Sequence, residues 1–280
     1  MKNLKRIFKN NTHNFFFKML AGFGRSMNRL YENRNHDIFS NGELTVIKKL
    51  AKFNPLLIVD GGANIGKYSL MLRQHIPNCK IYAFEPVGAT FAQLKTNLAK
   101  YENIVPINKG LFSENCTKEI HIFISNTHAS LYDLKKPVAQ MKEKVSIDLM
   151  RGDFFLEQNH IAEIDFLKLD IEGAEYEAIL GFGTHFKNKK IKMVQFEYGY
   201  INISSRKLLL DFYTLLNDYG YAVGKIFPKH VEFRDYAFKH EDFLGPNFIA
   251  VDRNEVALIE SLSKKKRFQT FVKHRKSVID

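Results

Sequence analysis

One stretch constrains this chain more than any other: Leu56-Leu57-Ile58-Val59-Asp60-Gly61-Gly62-Ala63-Asn64-Ile65-Gly66-Lys67-Tyr68. Four consecutive apolar residues, two of them β-branched, predict a strand buried on both faces, as in a parallel sheet. The run ends on an acid, followed by three glycines within six residues. After Gly66 the spacing of Tyr68, Leu70, Met71 and Leu72 predicts a helix with an apolar face. Strand, glycine-rich turn and helix are how an α/β sheet offers a loop and a helix start to a cofactor.

The turn is not a nucleotide fingerprint. The dinucleotide pattern needs glycine where Ala63 stands, and starting from Gly62 fails at Asn64. The Walker pattern fails because Gly66-Lys67 leads into Tyr68. An acid at the strand end also repels phosphate; it suits a ligand with positive charge or hydroxyl donors. A second apolar strand, Lys80-Ile81-Tyr82-Ala83-Phe84, ends in Glu85-Pro86, and Glu85 lies 25 residues after Asp60. That is close to where a βαβ unit places the carboxylate for ribose hydroxyls. Two strand-ending acids with glycines between them favour S-adenosyl-L-methionine.

A third motif follows: Lys168-Leu169-Asp170-Ile171-Glu172-Gly173-Ala174-Glu175. Together with Asp60–Gly66 and Phe84-Glu85-Pro86 it resembles the FkbM-type methyltransferase family, over about residues 55–253. The resemblance implies a doubly wound, Rossmann-like class I methyltransferase sheet of about seven strands, the last antiparallel. It also implies O-methylation of a hydroxyl, commonly of a sugar, in glycan or secondary-metabolite biosynthesis.

Read in order, the chain divides into a basic helical extension (1–54), the methyltransferase domain (55–253) and a basic tail (254–280). Asn41-Gly42-Glu43 opens a helix through Leu50. Within the domain, Gly88–Tyr101 reads as a helix and Asn103–Ile107 as a strand. Ile120–Ser125 and Val145–Leu149 read as a hairpin flanking a polar stretch. Ile164–Leu169 and Met193–Glu197 are further strands, with a helix from Gly173 to Gly181 and a longer one over Ser204–Tyr219. Gly220–Phe227 and Asn247–Asp252 close the sheet.

The net charge of +12 is not a property of the domain. Residues 1–31 hold seven Lys and Arg and no acid, and residues 261–280 hold seven against Asp280 alone. The N-terminal stretch has no apolar run long enough to span a membrane and no signal-peptide pattern. Its Phe, Leu and Met residues recur at helical spacing. Such a helix either lies on anionic lipid or packs its Phe side on the domain. Cys79 and Cys116 form neither a disulfide framework nor a zinc set, which fits a reducing cytoplasm. The expected location is cytoplasmic, with the basic arms able to hold the chain at the inner membrane surface.

Asp60, Gly61, Gly62, Asn64 and Gly66 are expected to hold the amino-acid end of the cofactor, and Glu85 its ribose. Phe84, Pro86 and residues near Leu111–Ser113 are the adenine candidates. Asp170 is the first choice for a catalytic carboxylate, Glu172 and Glu197 share its edge, and His128 is the histidine alternative. No metal is assigned. The acceptor is a small molecule or glycan. A nucleic-acid methyltransferase is disfavoured because base-amine enzymes carry a Pro-Pro motif after the fourth strand, where Asp170-Ile171-Glu172-Gly173 stands. A non-catalytic membrane protein on the same fold is disfavoured by the intact acids and glycines.

Overall fold

A computed structural model describes residues 6, 8–10, 12–123, 129–132 and 141–264. Helix α1 (Phe15–Tyr31) precedes α2 (Glu43–Leu50). There follow β1 (Leu57–Gly61), α3 (Lys67–His75), β2 (Lys80–Phe84), α4 (Gly88–Leu98) and β3 (Ile104–Ile107). Next come β4 (Gly110–Phe112), β5 (Cys116–Phe123), β6 (Ala129–Ser130), β7 (Met141–Arg151) and α5 (Gly152–Gln158). The order continues with β8 (Phe166–Leu169), α6 (Glu175–Gly181), α7 (Gly183–Lys187), β9 (Met193–Glu197), α8 (Ile201–Ser205) and α9 (Leu209–Asp218). The described part closes with β10 (Tyr221–Phe227), β11 (His230–Phe233), β12 (Asn247–Asp252) and α10 (Val256–Leu262).

The main sheet has eight strands, ordered β11-β10-β12-β9-β8-β1-β2-β3. From β9 to β3 every pairing is parallel, and β12 inserts antiparallel between β9 and β10. The expected class and the antiparallel last strand are therefore present. The count of about seven is exceeded by β11, which pairs antiparallel with β10.

Strand residues alternate between two covered faces, which is why they read as continuous apolar runs. Val59, Leu167, Val194 and Phe248 point to one core with Phe182, Phe186 and Phe212. Ile58, Ile81, Phe166 and Met193 point to the other, under Val46, Ile47, Met71, Leu72 and Leu94. Seven phenylalanines, among them Phe84, Phe155 and Phe196, lie in the first of these cores.

The predicted hairpin exists but is longer, and it belongs to a second sheet ordered β4-β7-β5-β6. The predicted helix over Ser204–Tyr219 is interrupted. Arg206 adopts φ 57°, in the left-handed region. The start of α9 is capped locally by Asp211, which accepts from Leu208 N–H (2.8 Å), and also by distant Glu241, whose carboxylate accepts from the N–H groups of Leu209 (3.1 Å) and Leu210 (2.8 Å). That long-range cap has no local sequence signal.

Candidate active site

The carboxyl edge of the parallel strands opens onto a cavity of about 320 Å³. It is walled by Gly62, Asn64, Glu85, Pro86, Val87 and Thr90 on the β1–β2 side, and by Asp170, Ile171, Glu172 and Glu197 on the β8–β9 side. Ile120, Ile122 and Ala129 of the small sheet also line it, with His36, Ile38 and Glu43 from the N-terminal segment. The volume falls at the lower end of the range for small-molecule sites.

Glu85 sits where the sequence placed it, with both carboxylate oxygens engaged by backbone. Asn64 N–H donates to Oε2 at 3.1 Å and Val87 N–H to Oε1 at 2.9 Å. A carboxylate offers about four acceptor positions, so two remain for hydroxyl donors in the cavity. Burial pushes its pKa up to about 7, against the opposing pull of those two N–H groups. Asn108 Nδ2 fixes the turn by donating to the carbonyls of Glu85 and Pro86.

Asp60 lies beneath the cavity and not in its wall. It is fully buried; Ser69 Oγ donates to its Oδ2 at 2.6 Å, and Lys168 Nζ lies 3.3 Å from Oδ1. The register explains this: Asp60 faces Lys168 on β8, and Lys168 faces Gln195 on β9. Three polar side chains thus lie in one row across β1, β8 and β9. Gln195 Nε2 donates to Glu43 Oε1 at 2.6 Å, and Asn41 Nδ2 to Glu43 Oε2 at 2.7 Å. Burial favours the neutral amine of Lys168, but the carboxylates of Asp60, Asp170 and Glu43 outweigh it and raise its pKa. The Asp60 carboxylate is thus part of the cavity floor, held by Lys168 and Ser69, and any part Asp60 has in holding a cofactor runs through its backbone or through Lys168.

Of the glycines, Gly62 reaches the cavity. Its φ is +77°, and a Cβ there would stand 1.9 Å from the Asp170 carbonyl oxygen. Only glycine permits that approach of the first and third motifs. Gly61 and Gly66 pack against Leu111, Leu169 and Leu94. Among the adenine candidates, Pro86 reaches the cavity, whereas Phe84, Leu111 and Phe112 are core residues.

Asp170, Glu172 and Glu197 converge, with one oxygen of each within 4.8 Å of the others. The turn that brings them together is braced by Glu175. Its buried carboxylate accepts from Ile171 N–H (2.8 Å) and Gly173 N–H (2.9 Å), while Glu172 and Gly173 both take positive φ. Burial lifts Glu175 to about 8. Ser130 Oγ donates to the Glu172 carbonyl at 2.7 Å, tying the small sheet to this turn. Burial raises Glu197 well above the carboxylate range, and Asp170 and Glu172 add to the rise. Carboxylates so close share a proton or a divalent cation.

His36 Nδ1 lies 3.9 Å from Glu197 Oε1. No motif marked His36 in the sequence; His128, chosen instead, lies outside the described residues. Lys168 did carry a signal, as a charge inside an apolar strand.

The profile of the methyltransferase FkbM domain matches residues 60–223. Methyltransferase 1 of Beauveria bassiana is 29% identical over 143 residues, covering 44% of this chain and 57% of that protein. The 2-O-methyltransferase NoeI of Sinorhizobium fredii is 22% identical over 148 residues, covering 49% and 60%. The hexuronic acid methyltransferase AglP of Haloferax volcanii is 22% identical over 176 residues, covering 59% and 69%. The chain thus spans less than two thirds of the first two relatives. With the profile lying over more than half of its residues, the chain belongs to the FkbM-domain methyltransferase family.

Proposed function

We propose that the chain is an S-adenosyl-L-methionine-dependent O-methyltransferase acting on a hydroxyl of a sugar or related small molecule. The observation that carries this reading is the arrangement of acids around one cavity. Glu85 stands on one side with acceptor capacity to spare, and Asp170, Glu172 and Glu197 stand on the other. The residues fit the cofactor: a carboxylate for a diol, a glycine turn that leaves room for backbone contact, and negative charge facing a sulfonium. When bound, that group supplies an activated methyl. The chain's own task is to hold the acceptor oxygen in line and take its proton.

Asp170 is the proposed proton acceptor; Glu197, whose burial favours the protonated form, shares a proton with it. Glu172 shapes the same wall, while Glu175 and Lys168 position it from beneath. Oxygen as acceptor atom and sugar as acceptor class are supported by the names of two relatives, a 2-O-methyltransferase and a hexuronic acid methyltransferase. The test is transfer of radiolabelled methyl to a panel of sugars and uronic acids, with Asp170→Asn alongside. Label on a hydroxyl, lost in the variant while cofactor affinity stays, supports the reading; label on an amine or thiol contradicts it.

A further inference from the structure

Helix α1 buries none of its 17 residues. Its start is capped by Asn14, whose side chain accepts from Phe17 N–H at 3.0 Å. Phe16, Leu20, Phe23, Met27 and Leu30 recur at the spacing of one helical face, and each is between 44% and 73% exposed. Lys18, Arg25 and Arg29 fall on the opposite face. An apolar stripe backed by cations, with no acid, is the pattern of a helix lying in a bilayer interface.

The far end of the helix is joined firmly to the body. Lys225 Nζ donates to Glu32 Oε2 at 3.0 Å, and Asn33 Nδ2 donates to the Asn41 and Ile226 carbonyls at 2.7 and 3.1 Å. A few residues on, His36 and Ile38 line the catalytic cavity. Where the stripe ends, Leu30 and Tyr31 border a second cavity of about 870 Å³ whose charged lining is Lys49, Lys52, Lys229 and Lys264 against Glu260 alone. A second copy of the chain is a poor occupant for this face. It would bring together two segments that each hold seven Lys and Arg and no acid over residues 1–31. An anionic surface matches both the stripe and the lysines.

We propose that α1 seats the protein on an anionic lipid bilayer, its apolar stripe in the interface and the lysine-lined cavity against the headgroups.

The test is co-sedimentation of the full chain with vesicles of phosphatidylcholine alone or mixed with phosphatidylglycerol, at low and high salt. The expected result is binding to the mixed vesicles only, weakened by salt. Binding should fall roughly fivefold for each arginine removed in Arg25→Ala and Arg29→Ala, and should be abolished in the Leu20→Glu/Phe23→Glu double variant. Thermal unfolding of these variants should match the parent, since the positions are exposed. Equal sedimentation by the double variant overturns the proposal, as does failure of the parent chain to bind. A dimer in solution that the double variant dissolves, without vesicle binding, assigns the face to a second copy instead.

Discussion

Lys168 and Asp60 form a buried ion pair across β8 and β1, with Nζ 3.3 Å from Oδ1 and the side chains 3% and 0% exposed. The same ammonium lies 3.4 Å from Asp170, so one cation ties the first motif to the third. Removing one member of a buried pair leaves an uncompensated charge. Lys168→Met should therefore cost about 3–5 kcal/mol of stability. Lys190→Met, which breaks an exposed pair with Glu163, should cost at most about 1 kcal/mol. Denaturant unfolding of both variants decides; similar losses would show that Lys168 carries no special weight.

Gly62→Ala introduces a methyl where the Asp170 carbonyl already stands, at a backbone angle that L-residues rarely adopt. The strained conformation alone costs on the order of 1–3 kcal/mol. The expected outcome is a displaced loop and cofactor affinity reduced at least tenfold. Gly88→Ala, where a Cβ meets nothing within 4 Å, should bind as the parent does. Calorimetric titration of the two variants makes the comparison.

Glu85 gives a pH signature of known sign. Its pKa in the folded protein is about 7, against the ordinary 4.5, because burial disfavours the charge. The folded chain holds this proton more firmly than the unfolded one. Its contribution to stability is thus full below 4.5 and lost as pH rises to about 7. Accepting from ribose hydroxyls favours the ionised form, so cofactor affinity should run the other way. It should fall below pH 7, by up to about tenfold per unit. Affinity constant from pH 5.5 to 8 would remove Glu85 from the binding site.

Asp170→Asn removes the proton-accepting carboxylate, and Glu197→Gln removes the acid that shares a proton with it, both with shape kept. Each should lower turnover by about 10²–10⁴, the range for general acid–base catalysis. Cofactor affinity should change little. Loss of affinity in Asp170→Asn would move that residue to the cofactor side of the cavity.

The same carboxylates decide whether a cation takes part. With the acids acting on the acceptor's proton, turnover should survive exhaustive chelation. A loss restored by magnesium or manganese would reassign the Asp170, Glu172 and Glu197 cluster to metal binding.

Much of this was legible because the motifs are local. The strand–turn–helix at Asp60–Gly66, the acid ending β2 and the acid ending β8 are each read within a few residues, and parallel topology brings their ends to one edge. What was not legible depends on register and distance. Nothing near Asp60 says that Lys168 will face it from another strand and hold its carboxylate in the floor. Glu175 stands third among the acids of its motif, yet its side chain bends back to the Ile171 and Gly173 amides. His36 and Glu43 reach the cavity from a segment with no motif. The first N–H groups of α9 are met by Glu241, some thirty residues downstream.

The most direct measurement is calorimetric titration of S-adenosyl-L-methionine into the intact chain, its Glu85→Ala variant and its Asp170→Asn variant. The account predicts one site per chain, weakened by about 1–3 kcal/mol when the Glu85 acceptor is lost and retained in Asp170→Asn. No binding by the parent chain, or parent-like affinity in Glu85→Ala, would contradict it.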